Sequence, residues 1–67
     1  MKIGYRIKEL RKEKELTQTQ LAKLLNIPQD SISLWERDLS LPTVDYVVEL
    51  CRIFDVSADY LLCLKDY

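Results

Sequence analysis

The chain has 67 residues, 48% of them hydrophobic and 31% charged, with one glycine, two prolines and a formal net charge of −1. So short a chain forms one domain, here residues 1–67, and its apolar content argues against disorder. It has neither an apolar run long enough to span a membrane nor the apolar segment of a secretory signal, so we expect a cytoplasmic protein.

The charges are unevenly distributed along the chain. Residues 1–14 carry six Lys or Arg against two Glu, whereas residues 38–67 carry two basic side chains against six acidic ones. A positive end can bind phosphates even when the net charge is slightly negative, because the local field governs attraction. The acidic second half would instead suit a protein partner.

Residues that could carry out chemistry are few. Cys51 and Cys63 lie twelve residues apart, and without a secretory signal we expect free thiols. Because there is no histidine and no C-x-x-C pair, neither a metal site nor a cofactor is expected. The sequence also lacks an acid pair and a nucleophile beside a plausible base, which argues against an enzyme.

Two helices are predicted in the first third of the chain. The first covers residues 3–13, where three apolar residues recur at helical spacing: Ile3, Ile7 and Leu10. The second begins at Thr17, where Thr17 and Gln20 form a T-x-x-Q capping-box pattern. Its predicted apolar face consists of three leucines: Leu21, Leu24 and Leu25.

A tight turn follows the second helix. Asn26 tolerates a left-handed backbone and can end a helix, and Pro28 suits the start of the next one. That third helix is predicted over residues 29–37, with Ile32 and Trp35 pointing inward. Four of its residues then lie on the outward side: Gln29, Asp30, Ser33 and Leu34.

Two further helices are predicted after a loop over residues 38–42. Thr43 is predicted to cap the fourth helix, which ends at Asp55, and Ser57 to cap the fifth. Their predicted apolar residues are Val44, Val47, Val48, Leu50, Cys51 and Phe54 on the fourth helix, and Leu61, Leu62 and Leu64 on the fifth. The expected fold class is therefore all-α, a compact bundle of five short helices.

The helix pair of residues 17–37 resembles a helix-turn-helix DNA-binding motif, whose second helix lies in the major groove. The segments TQxxLA and N-I-P-x-x-S-I-S-x-W-E-R, then Pro42 and LCxIFDVSxDYLL, resemble the lambda-repressor-like, Cro/C1-type helix-turn-helix domain. The resemblance covers roughly residues 4–64. Asn26 and Asp38 stand where this family often has glycine.

The resemblance implies a sequence-specific transcriptional regulator of double-stranded DNA, a small repressor that acts by occupying its operator. It further implies a homodimer on an approximately palindromic operator, with no small-molecule ligand. The implied base-reading residues are Gln29, Asp30, Ser33 and Leu34. The implied contacts to the DNA backbone come from Arg11, Thr17, Gln18, Ser31, Arg37 and Ser40. The alternative is a protein-interaction module on the same fold, such as an antitoxin or an anti-repressor partner.

Each implied contact has a purely structural alternative. Gln18 and Gln29 could simply be exposed polar residues at helix starts. Asp30 is favoured in a first helical turn by the macrodipole alone, or it could accept from cytosine N4. Leu34 could be an ordinary exposed leucine or contact a thymine methyl group. Arg37 could complement the C-terminus of its helix as well as bind phosphate.

Two further expectations concern the whole fold. The resemblance implies an interhelical ion pair between Arg11 and Glu36, and the alternative is two unrelated surface charges. Three tyrosines lie late in the sequence: Tyr46, Tyr60 and Tyr67. With the leucines and valines nearby, they indicate either a dimer face near the C-terminus or additional core packing.

Overall fold

The computed structural model describes residues 2–66, which form five α-helices and no strand. The helices are α1 (Ile3–Glu13), α2 (Gln18–Leu25), α3 (Gln29–Glu36), α4 (Val44–Phe54) and α5 (Ala58–Leu61). The predicted all-α fold with a central helix-turn-helix, formed by α2 and α3, is confirmed. The third helix ends one residue earlier than predicted, and Arg37 is its C-cap. None of the described helices is both long and apolar enough to cross a bilayer.

The core is shared by all five helices. Each of them contributes one side chain with no accessible surface: Ile7, Leu21, Ile32, Leu50 and Leu61. Burial of such a side chain contributes roughly 1.5–3 kcal/mol. Trp35 adds an aromatic ring from α3, and it packs against Tyr46 of α4 with ring centroids 5.5 Å apart. The inward direction predicted for Ile32 and Trp35 is therefore confirmed.

Local hydrogen bonds fix both ends of α2. Thr17 Oγ1 accepts from the backbone N–H of Gln20 at 3.0 Å, and Gln20 Oε1 accepts from the backbone N–H of Thr17 at 2.8 Å. The predicted capping box is thus confirmed. At the other end Asn26 is left-handed, with φ of 57°, and the N–H of Ile27 bonds back to the helix at 3.0 Å. This exit turns the chain directly into α3.

Every helix is followed by one left-handed residue that is not glycine. These residues have φ between 56° and 63°, and they are Glu15, Asn26, Asp38, Asp55 and Cys63. An apolar residue comes directly after each of them: Leu16, Ile27, Leu39, Val56 and Leu64. Its N–H bonds to the carbonyl five residues back in the helix, which is the pattern of a Schellman exit. All five helices in the described residues therefore end with the same Schellman-type motif.

Four predicted core residues are exposed instead. Leu24 is 59% exposed, because α2 turns Leu21, Leu25 and the small Ala22 inward, so Leu24 lies at the edge of that face. Val44 is 77% exposed, and Val48 is exposed too. By helical periodicity, Val44 lies roughly 80° and Val48 roughly 120° around α4 from Phe54, the nearer of the two buried residues of that helix. The fourth is Leu64, which lies beyond the end of α5.

The tyrosines take part in packing within the chain. Tyr46 is half-buried against Trp35, and the Tyr60 ring lies 4.0 Å from the guanidinium carbon of Arg6 in a cation–π contact. Arg6 Nη1 also donates to the Tyr60 carbonyl at 2.8 Å, which joins α1 to α5. These contacts favour core packing for both residues, whereas Tyr67 lies outside the described residues.

Both cysteines are free thiols, as predicted. Burial raises the pKa of the Cys51 thiol, which disfavours the reactive thiolate.

Candidate nucleic-acid interface

The exposed face of α3 brings the predicted base-reading residues together. Gln29 and Ser33 are four residues apart, as are Asp30 and Leu34, so the two pairs form adjacent rows on one side of the helix. Gln29, Asp30 and Leu34 are exposed, and Ser33 is half-buried. Arg37, the C-cap, continues the row of Gln29 and Ser33. The face is about two turns long, a size that fits a major groove.

Gln18 and Gln29 touch each other. Gln29 Nε2 donates to Gln18 Oε1 at 2.5 Å, which joins the first residue of α2 to the first residue of α3. The sequence marked both residues as candidates but gave no signal that they meet, because they are eleven positions apart. Only the packing of the two helices brings them together.

The expected ion pair between Arg11 and Glu36 is present. Arg11 Nε lies 2.6 Å from Glu36 Oε2, and Arg11 Nη2 lies 3.1 Å from Glu36 Oε1, a bidentate arrangement. Arg11 Nη1 donates to the Leu16 carbonyl at 2.8 Å. The two charged side chains are 11% and 3% exposed, so this is a buried pair and not two surface charges.

Arg11 is also predicted to contact the DNA backbone, and its surroundings in the structure disfavour that contact. Its guanidinium is largely buried, and all three of its nitrogens already donate to Glu36 or Leu16. Moving it to a phosphate would leave the carboxylate of Glu36 buried without its partner. The role of Arg11 is to join α1 to α3.

A continuous hydrogen-bond network leads from this ion pair to the protein surface. Gln18 Nε2 donates to Glu36 Oε1 at 3.0 Å, while Gln18 Oε1 accepts from Gln29. The network therefore runs Arg11, Glu36, Gln18 and Gln29, and it ends at the exposed start of α3. The bond between Gln18 and Glu36 was not predicted, and spacing alone offers no signal for it.

The other residues that are predicted to contact the DNA backbone lie around the exposed face of α3. Thr17 is exposed, and its hydroxyl accepts from Gln20 but keeps its proton for a further bond. Ser40 and Arg37 are exposed beyond the other end of α3, and Ser31 is half-buried. Thr17 and Gln18 stand at the start of α2, where free N–H groups and the helix dipole favour an anion.

Fewer basic side chains of residues 1–14 are available at the surface than the sequence count suggests. Arg6 is held on Tyr60 and Arg11 on Glu36, so two of the six basic residues in 1–14 face inward. Lys8 and Lys12 are exposed, but they lie beside Glu9 along the outer side of α1. The candidate interface depends on hydrogen-bonding groups and helix N-termini more than on a basic patch.

An apolar surface begins where α3 ends. Leu41, Val44 and Val48 are exposed there, and with Pro42 and Leu62 they line a groove of about 410 Å³. We call these five residues the apolar surface. Leu41 was not predicted to belong to a functional face. The available signal was a leucine beside Pro42, in a loop where polar residues are usual.

Comparisons with known proteins agree with this geometry. A helix-turn-helix family model matches residues 7–61. The transcriptional regulator ImmR of Bacillus subtilis (strain 168) is 40% identical over 62 residues, a match that covers 92% of this chain and 49% of the relative. The chain thus spans about half the length of the curated relatives it matches.

Two solved structures, both bound to DNA, are similar over nearly the whole chain. The c2 repressor of Salmonella phage P22 with a synthetic operator has a TM-score of 0.84 and 31% identity, covering 91% of this chain and 92% of that one. The biofilm regulator SinR with DNA has a TM-score of 0.81 and 34% identity, covering 90% of this chain and 97% of that one.

Proposed function

This chain belongs to the lambda-repressor-like, Cro/C1-type helix-turn-helix family, and on that premise we propose that it is a sequence-specific transcriptional regulator of double-stranded DNA. It is a small repressor that acts by occupying its operator. The observation that carries the proposal is the exposed face of α3. Its first residue is Gln29, whose side chain is held in place by a hydrogen bond to Gln18. Because the matched relatives are bacterial and phage regulators, and bacterial DNA lies in the cytoplasm, we expect it to act there.

Gln29 is the principal base reader in this proposal. Its amide has a donor and an acceptor end, which matches adenine N7 and N6 in the major groove. Leu34, one turn further along, contacts a thymine methyl group. Ser33 lies between them and hydrogen-bonds a base edge. Asp30, whose negative charge is favoured at the start of α3, accepts from cytosine N4.

Contacts to the DNA backbone come from both ends of the helix pair. Thr17 and Gln18 bind a phosphate at the start of α2, where Gln18 keeps one amide proton after donating to Glu36. Arg37, with Ser31 and Ser40, binds the backbone near the other end of α3. These contacts position α3 in the groove and carry no sequence information themselves.

The operator is bound by a homodimer. One recognition helix contacts only a few base pairs, and two copies related by a two-fold axis contact half-sites about 34 Å apart. The apolar surface is the proposed contact between copies, because it follows α3 directly and would hold two recognition helices in a fixed relation. An approximately palindromic operator follows from that symmetry.

Selection of bound sequences from random double-stranded DNA tests the proposal. We expect enrichment of a palindromic site, followed by a mobility shift on that site that is stronger than on scrambled DNA. Tyr5→Ala is a matched control, since Tyr5 is exposed on the outer side of α1, and it should select the same site. If no sequence is enriched and the chain is not retained on DNA, the proposal fails. An interaction module, such as an antitoxin or anti-repressor partner, then becomes the better explanation.

A further inference from the structure

We propose that the buried Arg11–Glu36 ion pair sets the base preference of Gln29, by fixing which way round the amide of Gln18 lies. The inference rests on the proposed function, in which Gln29 reads a base. In this proposal Glu36 and Gln18 are positioning residues, which determine specificity through Gln29.

The first step is the fixed polarity of the ion pair. The Glu36 side chain is 3% exposed and accepts two bonds from Arg11, at 2.6 Å and 3.1 Å. A guanidinium can only donate, and the carboxylate that pairs with it can only accept. Any hydrogen-bonding neighbour of Glu36 must therefore donate to it. Gln18 does so through Nε2, at 3.0 Å from Glu36 Oε1.

The second step transmits this polarity to the surface. Because Gln18 turns its Nε2 to Glu36, its Oε1 faces Gln29 and accepts from Gln29 Nε2 at 2.5 Å. Two glutamines alone could pair either way round, since each amide has a donor and an acceptor end. The carboxylate removes that ambiguity, because the reversed Gln18 would place its carbonyl oxygen against Glu36.

The third step concerns the hydrogen-bonding groups that Gln29 still has available for a base. One of its two amide protons is used by Gln18, so one N–H and the Oε1 acceptor remain. Adenine offers an acceptor at N7 and a donor at N6, which fits this pair, whereas guanine offers acceptors at both N7 and O6. The network therefore favours adenine over guanine, by about tenfold on the scale of such contacts.

One substitution should reverse the direction of the hydrogen bond between residue 18 and Gln29. In Gln18→Lys the ammonium group donates to Glu36 and also towards Gln29, which must then turn its Oε1 inward and present both N–H groups. That display suits guanine N7 and O6. Gln18→Met keeps the approximate length of the side chain and removes both polar ends, so Gln29 is free to turn. Glu36→Gln keeps the shape of Glu36 but lets it donate, so the polarity is no longer fixed.

The experiment measures the adenine-to-guanine ratio in sites selected from random DNA, at the one half-site position that Gln29→Ala relaxes. Circular dichroism first establishes that each variant is folded. We expect the ratio to move towards guanine by at least about tenfold in Gln18→Lys. In Gln18→Met and Glu36→Gln the ratio should fall towards one, because Gln29 can then also turn both of its N–H groups to guanine. The double variant Gln18→Lys, Gln29→Ala is the control, and its guanine preference should vanish because the effect acts through Gln29.

The outcomes separate this inference from the proposed function. If the native chain enriches a site, but folded Gln18→Lys and Gln18→Met both keep its adenine preference, the inference is overturned and the proposed function stands. If Gln18→Lys does not fold, the ratio in Gln18→Met decides alone. A native chain that enriches no site overturns both. A merely structural role for Gln18 would change stability or affinity and leave the base ratio unchanged.

Discussion

Asp38, which follows α3 in the sequence, caps the N-terminus of α1: its Oδ1 accepts from the backbone N–H of Gly4 at 3.1 Å. Lys2, the N-cap of α1, provides no side-chain bond of its own, so Asp38 satisfies a donor that the helix start would otherwise leave free. The two residues are 34 positions apart, and the bond joins α1 to the exit of α3.

Gly4→Ala should destabilise the fold by about 2 kcal/mol, within the usual range for overpacking. A Cβ atom at this position would lie 2.3 Å from the Trp35 carbonyl oxygen and 2.9 Å from that of Glu36. Both are backbone atoms, which cannot turn aside as a side chain can. The better helix propensity of alanine, about 1 kcal/mol, is too small to compensate. Urea unfolding measures the loss, and Lys8→Ala on the exposed side of α1 should stay within roughly 0.5 kcal/mol of the native value.

Asp38→Ala should cost about 2 kcal/mol, since it removes the cap and places alanine at φ of 58°. Asp38→Asn keeps an oxygen acceptor and tolerates the left-handed backbone, so its loss should be at most about 0.5 kcal/mol. Thermal unfolding of the two variants gives the comparison. Equal losses would show that the charge of Asp38, and not the cap or the backbone, provides its contribution.

The Arg11–Glu36 pair should behave as a coupled unit. Arg11→Met and Glu36→Leu should each cost about 3–5 kcal/mol, because each leaves a buried charge without its partner. The double variant should cost clearly less than their sum. The exposed pair of Arg52 and Glu49, 3.3 Å apart on α4, is the matched control and should give nearly additive losses below about 1 kcal/mol. Additive losses for the buried pair would contradict the coupling.

Gln29→Ala tests base reading directly. Folding should be unaffected, because the side chain is exposed at the start of α3. Specific binding should weaken by about 1–3 kcal/mol, and the preference should relax at one position in each half-site. Binding to non-specific DNA at low salt is the internal control, and it should barely change because the phosphate contacts remain. A variant with full operator affinity and an unchanged site preference would remove Gln29 from the list of base readers.

Val44→Lys tests the proposed dimer. Val44 is 77% exposed in the single chain, so a lysine there should leave folding intact while placing a charge in the apolar surface. Sedimentation of the protein with its operator should then show fewer two-copy complexes than for the native chain. Tyr5→Lys adds the same charge at another exposed site and should behave as native. A native chain that binds its operator as a single copy would overturn the proposed assembly.

Local patterns predicted most of the helix ends, because their causes lie within a few residues. Thr43 is the exception, since it precedes α4 as its N-cap but its side chain makes no capping hydrogen bond. The capping box of Thr17 and Gln20 and the left-handed Asn26 each need only the neighbouring backbone. Burial was harder to predict, as Leu24 and Val44 show. Helical spacing identifies an apolar stripe, but its buried width depends on the helices packed against it, which the sequence of one helix does not encode.

In the candidate site, too, features with local causes could be predicted and features that depend on tertiary packing could not. The exposed face of α3 follows from helical periodicity together with a family resemblance. Arg11 was predicted both to pair with Glu36 and to contact the DNA backbone; its tertiary surroundings show the ion pair and disfavour the phosphate contact, and neither could be read from the sequence spacing. The contact between Gln18 and Gln29 depends on how α2 crosses α3, a property of the whole bundle.

The repeated helix stop has a consequence for how the chain folds. A left-handed backbone costs roughly 1–2 kcal/mol in most residues other than glycine, and less in Asn or Asp. In this chain all five helices end on such residues, among them Glu15 and Cys63. The turns at Glu15 and Cys63 therefore have little tendency to form in an isolated segment, and they become stable only once the neighbouring helices are packed. Helix ends and core form together, so unfolding should be a single cooperative transition without separately stable fragments.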